Sequence, residues 1–458
     1  MNCTQGSPSN APLIPFKRGR PAVARRDGAR HPCLSARRLG SRALAGFAAL
    51  LALAAGADEE APGSARPSAR IIRFEDIKPP QARLTTCWDA VGIDDRQRVY
   101  IAFSDQSDEH PHDTMIFRYD TRSGARELLG TLRQISRDEG NLLEGETIAK
   151  IHVPFRAHGG KFYFSSHDYH RYDGPADLEK RRGGHFYSYD LASAKFEDLS
   201  KSDAGGISVV RQGIIGLTVL PGQNCLAGFT FPFGDILIHD LAGRRTTLYP
   251  GVAEHRQSGK PTRQIFASAR GRVFFCYYDR RDAPLYAFDP RTGKIEKTAY
   301  KFHFGMLYGA LPTRDGSKLY LVDLFGNLYA FHTADERLEE LGSLLPPEQS
   351  AAGLKVEICY AIVLSPDEKK LYSFPSRLSE APALRMYELD LETGRRRQVA
   401  DFTAELNGSS QGTRADRHGR ITGSGVYDEQ GRMYFGYHES GDDGRNGALV
   451  QVTLPATN

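Results

Sequence analysis

The sequence predicts an all-β fold, a seven-bladed β-propeller closed by an N-terminal strand. Two observations support this: a strand rich in aromatic residues recurs along the chain, and a second strand that ends in Asp follows most copies. Short strands separated by Asp and Gly turns at a regular spacing are typical of four-stranded propeller blades. The aromatic copies are RQRVYIAF, GGKFYFSS, GQNCLAGF, RGRVFFCYY, GSKLYLVD, EKKLYSFP and QGRMYFGYH.

Each predicted blade has strand A at the central channel, the aromatic strand B, strand C ending at the Asp turn, and a short outer strand D. The C copies are MIFRYDTRSG, HFYSYDLASA, DILIHDLAG, PLYAFDPRTG and LRMYELDLETG, with NLYAFHTAD as a degenerate copy. The last blade ends at ALVQVTL and lacks strand D. We expect ARIIRFEDI (Ala69 to Ile77) to supply it and close the ring, which removes an exposed sheet edge.

The first residues have the features of an export signal. Residues 1–57 are predicted to be a signal peptide with a long basic n-region, in which the apolar run ALAGFAALLALAAGA ends in small residues. Residues 58–68 form a linker, and residues 69–458 the propeller. The sequence therefore predicts an exported protein, periplasmic or extracellular, with no membrane span after signal removal.

Charge excludes one class of partner. The chain carries a net charge of +4, but residues 1–57 hold nine Lys and Arg and one acid, so the mature chain carries −4. Nucleic-acid binding depends on clustered Lys and Arg, and we expect no nucleic-acid partner for this chain. Four widely spaced cysteines remain, which indicates buried thiols or a single disulfide; they are Cys87, Cys225, Cys276 and Cys359.

The start of strand A and the end of strand B share one face of a propeller, beside the channel. Counting back about nine or ten residues from each aromatic strand gives one channel-mouth position per blade. These positions are Asp89, His152, Ile215, Arg263, Tyr308, Tyr360 and Gly423. Imidazole, phenol, carboxylate and guanidinium groups are therefore expected to meet at this face.

The second blade contributes a concentration of histidines. His152 opens its strand A, His167 closes its strand B, His170 lies in the following loop, and His185 begins strand C. Loops of other blades add Arg280 and His438 to the same face. A single His at a strand end is usually only a half-exposed polar residue, but two strands bring His152 and His167 to one place.

An exported propeller with His, Tyr and Arg at its channel mouth resembles the seven-bladed polysaccharide lyases, the group of ulvan lyases and oligogalacturonate lyase. The residues that carry the resemblance are His152 in KIHVPF, His167 in FSSH, and the Tyr and Arg positions across the ring. It implies cleavage of a uronic-acid glycan by β-elimination, with an acidic polysaccharide as partner and a monomeric enzyme.

The residues fit that chemistry. The proton on C5 of a uronic acid becomes removable only when the adjacent carboxylate is neutralised, which Arg, His or a cation can do. The predicted catalytic residues are His152, His167, Arg263, Tyr308 and Tyr360, with a tyrosine or histidine moving the proton. The predicted substrate-binding residues are Asp89, His170, His185, Arg280 and His438.

Two alternatives stay open. In the first, His152, His167 and His185 hold a divalent cation (Mn, Zn or Ca), although imidazole suits manganese and zinc better than calcium. In the second, the propeller is a non-catalytic module of the cell envelope that binds a glycan or a protein through the same face. Glycosidase chemistry is disfavoured because no pair of carboxylates is placed at the mouth.

Overall fold

A computed structural model shows how the predicted strands are arranged. It describes residues 66–105, 111–167, 178–256, 261–278, 281–351, 356, 358–376, 384–408, 418–441 and 444–455. The predicted signal peptide and all but the last three residues of the predicted linker lie outside the described residues.

The first half of the described chain forms three antiparallel four-stranded sheets. The N-terminal strand β1 (Ser68–Ile72) is not part of these three sheets. The first sheet contains, in chain order, β2 (Val91–Ile93), β3 (Arg98–Asp105), β4 (Asp113–Asp120) and β5 (Arg126–Thr131). The second contains β6 (Arg156–His158), β7 (Lys161–Ser165), β9 (Phe186–Asp190) and β10 (Lys195–Asp198), beside the pair β8 (Gly183–Gly184) and β11 (Val209–Val210). The third contains β12 (Gly213–Leu220), β13 (Cys225–Phe231), β14 (Ile236–Asp240) and β15 (Arg245–Tyr249).

The second half repeats the pattern. One sheet contains β16 (Phe266–Ala267), β17 (Val273–Phe275), β18 (Arg281–Asp289) and β19 (Lys294–Phe304). The next contains β20 (Leu307–Pro312), β21 (Lys318–Asp323), β22 (Asn327–His332) and β23 (Arg337–Ser343). The remaining strands are β24 (Ile358–Leu364), β25 (Lys370–Ser376), β26 (Arg385–Asp390), β27 (Arg396–Asp401), β28 (His418–Tyr427), β29 (Met433–Gly441) and β30 (Gly444–Thr453).

These last strands and β1 form one eight-stranded sheet, in the order β1-β30-β29-β28-β24-β25-β26-β27. It consists of two antiparallel groups joined by a short parallel pairing of β24 with β28. The N-terminal strand β1 pairs with β30, from Ser68 opposite Thr453 to Ile72 opposite Leu449. Its edge position beside the last strand of the chain is the one expected from the sequence.

The helices that lie wholly within the described residues are few and short. They are α1 (Leu132–Asp138), α2 (Pro347–Ala351) and α3 (Thr403–Gly408), with two 3-10 turns at Leu199–Ser202 and Ala204–Gly206. Thr131 caps the N-terminus of α1, since its side chain accepts a hydrogen bond from the Gln134 backbone N–H. None of the described helices is long and apolar enough to cross a membrane.

The aromatic strands form the contacts between neighbouring sheets. Tyr100 of β3 lies 5.0 Å from Phe162 of β7 between ring centroids. Phe229 of β13 and Phe275 of β17 are 4.9 Å apart. Because these strands are buried on both faces, they are nearly continuous hydrophobic runs rather than alternating ones.

The Asp residues that end the C strands organise the turns. Asp120 accepts hydrogen bonds from the backbone N–H groups of Arg122 and Ser123, and Asp190 bonds Ala192 and Ser193 in the same way. Such turns are the reason for the repeated Asp in the sequence.

The first strands of the sheets lie against one another: β2 contacts β28, β6 contacts β12, β12 contacts β16, and β20 contacts β24. Several carry a β-bulge near their start, which changes the direction of a side chain. The bulges of β12, β20, β24 and β28 contain the predicted channel-mouth positions Ile215, Tyr308, Tyr360 and Gly423.

The all-β prediction is confirmed, and the repeated four-stranded sheets agree with a propeller. The four cysteines of the described chain are free thiols: Cys87, Cys225, Cys276 and Cys359. Of the two expectations for them, thiols rather than a disulfide are present.

Candidate functional site

The only tryptophan of the chain, Trp88, lies at the centre of the candidate site. Trp88 is half-buried and lies in the segment that leads into β2. Two cations approach its ring: Lys150 Nζ is 4.9 Å from the ring centroid and Arg263 Cζ is 5.3 Å from it. His152 stacks on the indole at 5.0 Å, with the planes 21° apart.

Further rings extend this group on both sides. His152 and His167 meet edge to face, with centroids 4.9 Å apart. Arg263 Cζ also lies 4.7 Å from the centroid of the Tyr308 ring. We name this group the Trp88 cluster; it comprises Trp88, Lys150, His152, His167, Arg263 and Tyr308. The structure therefore brings together four of the five predicted catalytic residues.

Local backbone structure positions the two histidines. The His167 N–H donates to the carbonyl of Lys150 at 2.8 Å, which ties the end of β7 to the segment that carries His152. Gly213 lies against the His167 ring: a Cβ atom there would be 2.2 Å from Nδ1. A larger residue at position 213 would displace His167, so glycine is required at this close approach.

Electrostatics keep both imidazoles neutral. Burial lowers the pKa of His152 and of His167 well below the usual 6.5, and the charges of Lys150 and Arg263 lower both further. Only 3% of each side chain is exposed. Both ring nitrogens of His152 lack a hydrogen-bond partner among the described residues. One of them is therefore a lone-pair acceptor with no partner from the described chain.

The neighbouring Asp89 belongs to a separate network under the cluster. Its carboxylate accepts hydrogen bonds from the Ser424 backbone N–H and from Nε2 of Gln264. The Gln264 Oε1 in turn accepts a hydrogen bond from Arg156 at 3.2 Å. Burial raises the pKa of Asp89 to about 7, although these partners lower it. Asp89 is thus placed to hold strands together.

His185 has different partners from His152 and His167. Its Nδ1 lies 3.1 Å from an Asp198 oxygen and its Nε2 lies 3.0 Å from a Glu146 oxygen. Burial lowers its pKa, but the two carboxylates outweigh this and raise it to about 9. His185 is therefore an imidazolium held between two carboxylates.

This pairing bears on the metal alternative. Within the described chain, no three His, Cys, Asp or Glu side chains are grouped as metal ligands would be. The set His152, His167 and His185 therefore forms no ligand group there.

The other predicted residues are placed less fully. His438 is buried in β29, opposite Arg420 of β28. Tyr360 belongs to β24, but its side chain is not described. His170 and Arg280 lie outside the described residues.

Sequence reasoning missed Trp88, Lys150 and Gln264. Each had a positional signal: Trp88 directly precedes the predicted position Asp89, Lys150 is two residues before His152, and Gln264 directly follows Arg263. Two residues apart on an extended segment, side chains point to the same side. Lys150 could have been placed with His152 on that ground.

No protein-family model matches the chain, and no curated protein matches it. The chain is similar to solved structures at low sequence identity. The extracellular domain of a candidate hybrid two-component system from B. thetaiotaomicron is 12% identical with a TM-score of 0.50, covering 86% of this chain and 41% of that one.

Two other solved structures have lower TM-scores. A candidate 6-phosphogluconolactonase from Bacteroides uniformis has a TM-score of 0.44 and 13% identity, covering 79% of this chain and 98% of that one. A chain of a mitotic checkpoint complex has a TM-score of 0.46 and 10% identity, covering 91% of this chain and 100% of that one. None of these three structures is of a polysaccharide lyase by its name. The extracellular domain from B. thetaiotaomicron, with its TM-score of 0.50, supports the fold alone.

Proposed function

We propose that the protein is an exported polysaccharide lyase that cleaves a uronic-acid glycan by β-elimination. One observation carries the proposal: two cations and a neutral, buried imidazole meet on the same indole ring. An anionic sugar needs the cations, and removal of its C5 proton needs a base that stays unprotonated.

Arg263 and Lys150 are proposed to bind the uronate carboxylate. No Asp or Glu of the described chain forms an ion pair with Arg263, whose guanidinium lies over the rings of Trp88 and Tyr308. A planar guanidinium can bind a carboxylate through two parallel hydrogen bonds. This neutralisation makes the C5–H bond acidic enough to break.

His152 is proposed to accept the C5 proton. Its neutral ring nitrogen takes the proton, the C5–H electron pair forms the C4–C5 double bond, and the bond from C4 to the leaving oxygen breaks. Arrival of the anionic carboxylate offsets the positive charges that lower the His152 pKa, so the imidazole becomes a stronger base when substrate binds.

The leaving oxygen needs a proton, which Tyr308 is proposed to donate. Its ring lies under the Arg263 guanidinium, so the phenol and the bound carboxylate would be near neighbours. Positive charge close to a phenol stabilises the phenolate that remains. Tyr360, whose strand β24 adjoins β20, is the alternative donor.

We further propose that the sheets form a closed ring of seven blades, with β1 as the outer strand of the last. The antiparallel groups of β24–β27 and of β28–β30 with β1 would then be two of the blades. Support comes from the pairing of β1 with β30 and from the contacts of the first strands. An experimental structure with six or eight blades, or with β1 outside the ring, would refute this.

The second candidate function is a non-catalytic propeller that binds a glycan. One observation favours it: His152 and His167 are each only 3% exposed, which suits a packed support for Trp88 as well as a base. Such a module would bind the uronate but leave its glycosidic bonds intact.

The deciding experiment is a panel of uronate glycans (pectin fragments, ulvan, alginate and glycosaminoglycans), followed by absorbance of the 4,5-unsaturated product. We expect activity on one class, lost in His152→Ala and reduced strongly in Tyr308→Phe. His303→Ala is a matched control, because His303 pairs with Glu340 at the surface. Binding without any absorbance change would support the binding module instead.

A further inference from the structure

A second group of rings lies at the same end of the β20–β21 sheet as Tyr308. Phe304 and Phe325 are 4.7 Å apart between centroids, and Tyr278 lies 6.2 Å from Phe304. Phe325 is 42% exposed, and among the exposed large hydrophobic side chains of the described residues it is the only aromatic. We name Tyr278, Phe304 and Phe325 the aromatic platform.

Hydrogen bonds connect the platform to the Trp88 cluster. Phe325 lies in the turn that follows β21, where its N–H donates to Asp323 at 3.0 Å. The preceding residue, Leu324, donates its N–H to the carbonyl of Met306 at 2.8 Å. Met306 is two residues from Tyr308. The backbone therefore fixes the exposed ring relative to the proposed proton donor.

The spacing suits neighbouring units of one chain of sugars. Phe304 ends β19 and is four positions before Tyr308. Four extended residues span at most about 14 Å, so the platform lies within a few sugar units of Arg263. The close approach at Gly305, where a Cβ would be 2.1 Å from the Tyr277 carbonyl oxygen, holds the Tyr278 segment against Phe304.

We propose that the aromatic platform is a second subsite, which binds a pyranose ring of the same glycan next to the uronate held by the Trp88 cluster. This inference rests on the proposed function for the identity of the neighbouring sugar. The C–H face of a pyranose is apolar and packs on aromatic rings, whereas its hydroxyl groups remain in water. An exposed aromatic group beside a cationic site is suited to a polymer, since it adds binding without adding charge.

The rings also define what kind of glycan fits. They are tilted by 58° and 61° to one another, so the platform is bent rather than flat. Successive pyranoses that are rotated along a chain match a bent surface better than coplanar ones. The subsite therefore takes an oligosaccharide, and a single uronic acid would leave it empty.

The test measures binding by calorimetry for the mature chain and its Phe325→Ala variant. The ligands are a uronic acid monosaccharide, its tetrasaccharide and neutral tetrasaccharides. We expect the variant to bind the charged tetrasaccharide about tenfold more weakly and the monosaccharide unchanged. Phe325→Trp, which keeps a ring, should restore binding. Leu248→Ala is the matched control, since Leu248 is also 42% exposed but lies in β15.

The outcomes separate this inference from the proposed function. Neutral tetrasaccharides that depend on Phe325, with no uronate bound, would keep the platform and reject the lyase. Equal affinities of the wild type and Phe325→Ala for every tetrasaccharide would overturn the platform, even if the uronate is cleaved. Self-association that Phe325→Ala abolishes would assign these rings to a second copy of the chain and would also overturn it.

Discussion

Gln264 donates a hydrogen bond from Nε2 to the carboxylate of Asp89, and each of these residues is the chain neighbour of a residue in the Trp88 cluster. Asp89 follows Trp88, and Gln264 follows Arg263. Neighbouring residues of an extended segment point to opposite sides. The buried bond on one side therefore fixes the contact of the Arg263 guanidinium with the indole on the other.

The first prediction follows from this bond. Gln264→Leu removes one donor to the buried Asp89 carboxylate and one acceptor for the Arg156 guanidinium, so each of these groups loses a hydrogen bond. We expect a loss of about 1–3 kcal/mol in the free energy of unfolding. Because Trp88 is the only tryptophan, we also expect a shift of its fluorescence emission in the folded state.

Chemical denaturation and emission spectra of the folded protein measure both effects. Gln223→Leu is the control, since Gln223 bonds the Gly271 carbonyl in a different part of the chain. If Gln264→Leu is destabilised to the same extent as this control and its emission is unchanged, the Asp89 bond does not position Trp88.

The second prediction concerns Arg263. Arg263→Gln removes the cation that faces both Trp88 and Tyr308, and we expect uronate binding to weaken by about 10- to 100-fold. Arg263→Lys should be intermediate, because an ammonium keeps the charge but not the planar pair of donors.

Quenching of Trp88 fluorescence by uronate titration gives the affinities. Arg122→Gln is the control, as Arg122 forms an exposed pair with Glu429 at 2.9 Å. Full affinity in Arg263→Gln would show that the carboxylate binds elsewhere.

The strands could be predicted because their determinants are local. Aromatic runs and Asp turns act over a few residues, so each aromatic copy in the sequence corresponds to a strand of the structure. The structure adds a repeated detail: Asp94 accepts hydrogen bonds from Arg98 and Tyr100, and Asp428 does so from Arg432 and Tyr434.

The site could be predicted only to within about one residue, because strand boundaries are poorly defined by sequence. In an extended segment one residue changes the face, and counting selected the buried Asp89, whereas its neighbour Trp88 lies in the Trp88 cluster. His185 shows a second limit. Glu146 and Asp198 are 39 and 13 residues away in sequence, and nothing local indicates that they enclose its ring.

The third prediction uses this enclosed imidazolium. Its pKa is raised above the unfolded value of 6.5, so its contribution to stability is complete below about pH 6.5 and is lost as pH rises through about 9. His185→Gln should cost about 3 kcal/mol at pH 6, because Glu146 and Asp198 are left without the charge between them.

Urea denaturation from pH 6 to 10 measures this. The difference between the wild type and His185→Gln should narrow as pH rises. The ion pair of Arg182 with Glu146 at 2.8 Å does not involve His185. His239→Gln is the control, since burial lowers the pKa of His239 and its Nδ1 lies 2.9 Å from the Thr246 hydroxyl instead of a carboxylate. A difference that stays constant up to pH 10 would contradict the imidazolium assignment.

The fourth prediction tests His152 as the base through its electrostatic neighbours. Burial, Lys150 and Arg263 all lower the pKa of His152, so the imidazole is neutral at pH 6.5 and kcat/KM should fall only in more acidic solution. Lys150→Met removes one of these cations. The pKa of His152 should then rise, and the acid limb of the kcat/KM profile should move to higher pH, whatever the loss in overall activity.

The measurement is the rate of unsaturated product formation from pH 4 to 8 on the best substrate of the glycan panel. Lys161→Met, in β7 and outside the Trp88 cluster, is the control and should leave the limb in place. The Lys150 ammonium directly lowers the pKa of His152. If the acid limb of Lys150→Met stays in place or moves to lower pH, the pKa of the group that accepts the C5 proton does not depend on Lys150. That result would exclude His152 as the base.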